Sequence, residues 1–361
     1  MIVELVTQLF NEYRLLLVLF GVLGSFFVTS ASLPFIIYFC KTKGLTAKID
    51  ERSSHSRDIP NIGGIGIIAG VYITSLFLSY FIINFENAKL LISLFIPLLI
   101  LLFIGFKDDM LGLSPKAKLL TEIGTATIFI VLSDCRLDSF YGLFGIHEIN
   151  YYLSITLSIF VFVITINSYN LIDGIDGLAG GFGIIACGFL FFISQKANNM
   201  IAVILCASII GSLTGFLKFN LSSDKKKIFM GDTGSLIVGF LISSIVLITL
   251  SSKNNYISSF NNIPVILLAI LSFPFIDTLR VMLIRKKRKK NLFKPDKNHI
   301  HHMLISQGHS HIKSTILILI VYTTSVMFCL ATTNLEITIH FFACLIYSII
   351  SLNSLLYFIK K

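Results

Sequence analysis

At 361 residues the chain is 55% hydrophobic and only 13% charged, with a mean hydropathy of +0.86. That is too apolar for a water-facing surface, and it excludes a soluble globular protein as well as a disordered one. The balance of 29 Lys and Arg against 19 Asp and Glu, a net charge of +10, bears in such a chain on topology and anionic partners rather than on nucleic acid.

Apolar stretches long enough to cross about 30 Å of hydrocarbon predict eleven transmembrane helices, at 15–40, 62–84, 90–107, 117–133, 151–168, 178–194, 200–218, 233–251, 263–284, 314–333 and 339–358. The first is read as a true span rather than a signal peptide: it is too long, follows Glu4, Glu12 and Arg14, and has no small-residue cleavage site. No repeat or low-complexity linker divides the chain, so the expected fold is all-α, a polytopic membrane bundle forming one domain over 1–361. The six cysteines, Cys40, Cys135, Cys187, Cys206, Cys329 and Cys344, show no C-x-x-C pairing, and five lie in apolar runs. They read as small core residues rather than a disulfide framework or zinc site.

Most of the 29 basic residues fall in the loops 41–61, 107–118, 218–231 and 285–313 and at the C-terminus, whereas Arg14, Lys89, Arg136, Lys196 and Lys253 fall on the other side. By the positive-inside rule the N-terminus is outside and the C-terminus cytoplasmic. The longer polar loops share the cytoplasmic side, so chemistry is expected there.

Ionisable groups near membrane depth default to functional hypotheses, and four clusters occur. Asp108 and Asp109 end the third span, before Ser114-Pro115-Lys116-Ala117-Lys118, where Pro115 suits the first turn of a helix. Adjacent carboxylates are stable together near a metal or lysines, although a solvated helix end with snorkelling lysines explains the segment too. In the second cluster Asn167, Asn170, Asp173 and Asp176 recur every third residue, with Gly174 and Gly177 placed to break the helix. Their oxygens suit a hard cation such as Mg²⁺ or Mn²⁺, and no Lys or Arg in that loop neutralises the two acids. A plain polar turn accounts for the glycines but not for the acids.

The third cluster, Phe229-Met230-Gly231-Asp232-Thr233-Gly234-Ser235, precedes an apolar span. Asp232 or Thr233 could serve as an N-cap. Alternatively Asp232 is a metal ligand, with glycines that let a phosphate approach the helix N-terminus. Fourth, the basic run 285–290 suits anionic lipid and is followed by His299-Ile300-His301-His302. With no cysteine nearby, the imidazoles suit phosphate better than zinc. His309 and His311 are close by, and either fits a simple surface residue. Hard-metal ligands, lysines and imidazoles beside lipid together suit phosphoryl transfer between a soluble phosphate ester and a membrane-embedded one.

At these residues the chain resembles the polyprenyl-phosphate N-acetylhexosamine-1-phosphate transferases, the MraY, WecA and TagO enzymes, over about 15–358 with all four motifs in order. His299-Ile300-His301-His302 is similar to the WecA/TagO branch. MraY has three contiguous His followed by Phe-Glu, where Met303 and Leu304 stand here, which argues against a UDP-MurNAc-pentapeptide donor. The resemblance implies transfer of N-acetylhexosamine-1-phosphate, GlcNAc-1-phosphate first among the candidates, from a UDP-sugar to undecaprenyl phosphate. UMP leaves, and the lipid product starts a cell-envelope polysaccharide. The implied setting is the bacterial cytoplasmic (inner) membrane, with the active site on its cytoplasmic face and Mg²⁺ as cofactor (Mn²⁺ in its place as the alternative); a homodimer is compatible with it. By resemblance Asn170 and Asp232 hold the metal, and Asp173, Gly174 and Asp176 lie against metal and nucleotide. Asp108 and Asp109 match the acidic pair nearest the arriving lipid phosphate, Lys118 the phosphate-binding lysine, and His299, His301 and His302, with Asn167, the donor-binding set. The segment 52–64, with His55, Arg57, Pro60, Gly63 and Gly64, also resembles a family loop, without an assigned role.

A phosphate monoester with a second pKa of about 6 is mostly dianionic at neutral pH, so direct attack is favoured over general-base assistance or a phospho-aspartate. A lipid-linked sugar flippase or ion carrier would also bury acids in a broken helix, but nearer the midplane. A CDP-alcohol phosphotransferase would carry D-G-x-x-A-R, and no Ala-Arg follows Asp173-Gly174.

Overall fold

The computed structural model describes residues 14–45, 59–82, 85–222, 226–251, 262–289 and 298–359. Among them are twelve α-helices and no strand, only an isolated bridge between Ser139 and Glu148. Helix α1 spans Arg14–Lys43, α2 Gly64–Tyr80, α3 Phe85–Leu111, α4 Pro115–Ser133, α5 Tyr151–Ile172 and α6 Leu178–Lys196. Helix α7 spans Met200–Asn220, α8 Gly231–Leu250, α9 Ile263–Lys287, α10 Ile300–Ser306, α11 His311–Ala331 and α12 Ile337–Ile359. A helix overlaps each of the eleven stretches expected to span, α2 ending at Tyr80 where the expected stretch ran to 84, and the short α10 lies in the loop that holds the histidines. Nine of the helices are long and apolar enough to cross a bilayer, α2 is apolar but shorter, and α4 carries Lys116, Lys118 and Glu122. The protein is a multi-pass helical membrane protein.

The centre of the bundle is α8. From Thr233 to Leu250 every residue is buried, as a helix apolar on all sides requires. It packs on α5, α3 and α2, and peripheral α1 and α12 turn large apolar residues such as Phe27, Phe35, Ile346 and Ile350 outward, where lipid is their solvent. Close contact among α1, α2 and α7 comes from small residues. A Cβ on Gly211 would sit 2.0 Å from the Val22 carbonyl, and Thr29 bonds Ser212 at 2.7 Å across the seam. At its C-terminal end α8 is closed by the Tyr141 hydroxyl, which donates to the Leu250 carbonyl at 2.6 Å.

Local chemistry sets the helix ends that matter. Ser114 caps α4, its Oγ accepting Ala117 N–H at 3.3 Å, and Pro115 occupies the first turn as expected. Helix α5 stops at Ile172, and Gly177, with φ of +79°, restarts the chain as α6. Contacts across the bundle bring these helix ends together, as between Asp109 of α3 and Asp232 of α8, Asn220 of α7 and Gly177 before α6, and Asp176 after α5 and His311 of α11. All four polar clusters therefore collect at one end of the bundle.

Candidate active site

The N-terminus of α8 is the organising point. Asp232, in its first turn, takes Lys118 Nζ on Oδ2 at 2.6 Å and the Asn170 amide on Oδ1 at 2.5 Å. Lys118 also reaches Asp108 Oδ2 at 3.0 Å, so one ammonium is shared by acids from α3 and α8. Asp108 Oδ1 meanwhile accepts Leu113 N–H at 2.6 Å and fixes the turn into α4. The Asn170 amide extends to Ser235 Oγ at 2.7 Å.

Asp109 points inward. Its carboxylate accepts the backbone N–H groups of Asp232 and Thr233, both at 2.9 Å, and the Thr233 hydroxyl at 2.5 Å, with the Asn61 amide at 3.3 Å. It caps α8 from another helix, where the N–H groups and the helix dipole favour an anion.

Asp173 and Asp176 lie on the turn between α5 and α6. Burial raises the Asp173 carboxyl well above the usual range, and the charges of Asp232, Asp109 and Asp176 raise it further. Burial pushes Asp176 the same way, but hydrogen bonds from His311 and Lys227 outweigh it and bring the group below the usual range. Those partners sit at 3.0 Å and 2.6 Å from Oδ2, while Oδ1 is buried without one. The turn is fixed from α7: Gly177 N–H donates to Asn220 Oδ1 at 2.7 Å, and the Asn220 amide donates to the Ile228 carbonyl at 3.1 Å.

The histidines lie over this turn. An added Cβ on Gly174 would stand 2.3 Å from His301 Nε2, so only glycine leaves room for the imidazole. The His299 and His301 rings stack at 5.7 Å, and His302 follows at 4.2 Å from His301. Burial first, with the neighbouring His302, holds His301 down to about 3, so it is neutral at physiological pH. Beneath them Asp277, 1% exposed, binds His299 Nδ1 at 2.9 Å, Arg280 at 2.8 Å and Ile300 N–H at 3.3 Å. The Nε2 atoms of His299 and His301 are both buried without a partner.

The sequence pattern of glycosyl transferase family 4 matches residues 91–250, the part of the chain that holds Asp108, Lys118, Asp173 and Asp232. The undecaprenyl-phosphate alpha-N-acetylglucosaminyl 1-phosphate transferase of Escherichia coli K12 is 30% identical over 312 residues, 84% of this chain and 81% of that one. The chain belongs to glycosyl transferase family 4. It is also 31% identical over 283 residues to the probable undecaprenyl-phosphate N-acetylglucosaminyl 1-phosphate transferase of Bacillus subtilis 168, covering 77% and 74% of the two chains. The corresponding transferase of Yersinia pestis is 28% identical over 284 residues.

In this family 4 chain some expectations need correction. No Lys or Arg stands in the 167–177 loop itself, but Asp176 is met from outside it, by Lys227 from the segment before α8 at 2.6 Å and by His311 from α11 at 3.0 Å. Neither Asp232 nor Thr233 caps α8, since Asp109 does. Gly231 and Gly234 have a packing role that the sequence did not indicate. A Cβ on Gly231 would meet the Asn61 carbonyl at 1.8 Å, and one on Gly234 would meet Met230 and Gly64, so these glycines let the start of α2 pack on α8. Asn167 stands deeper than the other motif residues, donating to Glu122 and to the Val163 carbonyl at 2.8 Å. His55, Arg57 and Lys290 lie outside the described residues, as do 291–297.

Sequence reasoning missed Glu122, Asp277, Asn220 and Lys227. Two of these had a signal: Glu122 and Asp277 are acids inside spans predicted to be apolar, and Glu122 follows Lys118 by one helical turn. Asn220 and Lys227 had none, because their meaning depends on contacts across the bundle.

Proposed function

We propose that the protein transfers GlcNAc-1-phosphate from UDP-GlcNAc to undecaprenyl phosphate, working at the cytoplasmic face of the bacterial inner membrane. The reading extends to one domain with eleven spans, N-terminus outside and C-terminus cytoplasmic, and the clustering of basic residues with the four motifs at one end supports it. The observation that carries the proposal is the sharing of Lys118 by Asp108 and Asp232, in a chain 30% identical to a transferase of that name.

The residues present fit a divalent cation. Asp108, Asp109, Asp173 and Asp232 bring hard oxygen donors together with one lysine among them, and desolvation first, then the charges of the other acids, drives Asp173 toward its neutral form. Asp232 and Asp173 would hold Mg²⁺ with the Asn170 side chain, whose NH₂ now faces Asp232 and whose oxygen would face a cation instead. Bound there, Mg²⁺ would neutralise the donor's pyrophosphate.

An oxygen of the lipid phosphate attacks the β-phosphorus of the donor in line. The new P–O bond forms as the bond from that phosphorus to the bridging oxygen breaks, and the electron pair leaves on UMP. Lys118 offers a positive charge to the phosphates, and Asp108 holds that ammonium in place. His299 and His301 offer Nε2 edges to the donor, as hydrogen-bonding groups. No proton needs to be removed from a dianionic phosphate, which supports direct attack over a phospho-aspartate. The decisive experiment measures UMP release from UDP-GlcNAc in detergent with a short polyprenyl phosphate and Mg²⁺. Absence of turnover with every UDP-N-acetylhexosamine would favour a transporter.

A further inference from the structure

At the other end of α11, about 30 Å from His311 at 1.5 Å per residue, a second group of potential ligands takes no part in the proposed transfer. Cys329 lies in the last turn of α11, His340 in the first turn of α12, and Cys344 one turn further along the same face. One ligand atom from each falls within 4.8 Å of the others, and all three residues are buried.

Simple packing accounts for the thiols, which behave as small apolar groups. It does not account for His340, whose side chain is fully buried. Its Nε2 lies 2.9 Å from the Cys329 carbonyl and 3.5 Å from Cys329 Sγ, whereas Nδ1 is buried with no hydrogen-bond partner. Only a protonated Nε2 can donate to that carbonyl, so Nδ1 carries an unused lone pair. A backbone carbonyl that fixes the tautomer and leaves the other nitrogen free is the usual support of a metal-binding imidazole.

The geometry points to a metal site formed by Cys329, His340 and Cys344 that takes a thiophilic divalent ion of the Zn²⁺ type. Two thiolates and a neutral imidazole around a divalent ion make a complex of zero net charge, the cheapest arrangement at a buried position beside lipid. A monovalent soft ion in the same set would leave a net negative charge there. The three residues flank the α11–α12 turn, whose Asn334, Leu335 and Glu336 are exposed. Closed by the ion, the site would pin α11 to α12.

The test uses the full chain, purified in detergent with thiols kept reduced, exposed to micromolar ZnCl₂ and desalted before metal analysis. About one Zn²⁺ per chain is expected, with loss in Cys329→Ser/Cys344→Ser and in His340→Gln. Co²⁺ in place of Zn²⁺ should give thiolate-to-metal charge-transfer absorption that both variants lack. UMP release should be unchanged in the variants, which shows that they fold. A zinc-selective chelator acting on the wild-type protein, with Mg²⁺ left in place, should lower its thermal midpoint without any substitution. The proposal is overturned by a wild-type chain that binds no Zn²⁺ or by variants that retain it. Recovery of Cys329 and Cys344 joined as a disulfide in protein thiol-blocked at lysis would overturn it too.

Discussion

The Asp109 carboxylate accepts the backbone N–H of Asp232 at 2.9 Å, so one acid of the site sets the position of another. Asparagine at 109 keeps the shape but offers one acceptor oxygen where the carboxylate has two, and losing an N-cap costs about 0.5–2 kcal/mol. Asp109→Asn should therefore lower the thermal midpoint by a few degrees and weaken transfer without abolishing it. Asp232→Asn should leave the midpoint nearly unchanged and cost on the order of 10²-fold or more in rate. Parallel melting curves and UMP-release assays check both, and equal losses of rate in a stable Asp109→Asn protein would mean that Asp109 meets substrate itself.

Lys118 is placed where a cation on Asp232 would feel it. Removing an ammonium that competes with Mg²⁺ should tighten metal binding, while removing a positive charge beside the phosphates should slow transfer. Lys118→Gln is thus expected to need on the order of tenfold less Mg²⁺ for half-maximal activity, which corresponds to about 1.4 kcal/mol of relieved repulsion. Its maximal rate should fall on the order of 10²-fold. Mg²⁺ titrations of both proteins decide the point. An unchanged Mg²⁺ requirement in the variant would separate Lys118 from the metal.

The eleven apolar runs and the four polar motifs were legible because membrane helices satisfy their own backbone and must be apolar along their length, so acids such as Asp108 and Asp173 stand out. The helix break at Gly174 and Gly177 was legible for the same local reason. The division of labour among the acids was not. Asp108 and Asp109 are neighbours of one residue type, yet one binds Lys118 and the other caps α8, because successive helical positions point about 100° apart and meet different helices. Gly231 and Gly234 suggested a phosphate cradle, a pattern that close packing against α2 produces equally well.

His301 and Gly174 form a pair with a pH signature. Burial keeps the His301 pKa at about 3 against an ordinary 6.5, so the unfolded chain takes up the proton more readily. Stability from this group is complete above pH 6.5 and is lost progressively as the pH falls from 6.5 toward 3. The thermal midpoint of wild type should decline over that window more steeply than that of His301→Gln, which has no proton to gain. Gly174→Ala, whose Cβ would press on Nε2 at 2.3 Å, should weaken donor binding and lower the midpoint at pH 7. Identical pH slopes in wild type and His301→Gln would remove the buried imidazole as the cause.

Asp277 touches neither proposed substrate nor metal ligand, yet it holds His299 through Nδ1 at 2.9 Å and so fixes the ring with Nε2 unpaired. A carboxylate on one ring nitrogen sets the tautomer and the orientation of the other. Asp277→Asn should raise the KM for UDP-GlcNAc on the order of tenfold, with a smaller change in kcat, as expected for lost positioning. It should also lower the thermal midpoint, since the half-buried Arg280 would lose its carboxylate partner. His299→Asn, which keeps a donor toward Asp277 but lacks Nε2, should give the same rise in KM with a smaller loss of stability. If Asp277 works through His299, the double variant binds donor no worse than either single one, because the second change removes nothing that remains. Fully additive effects on KM would show that Asp277 acts by another route, most directly through Arg280 and the Asn298 carbonyl it holds at 2.5 Å.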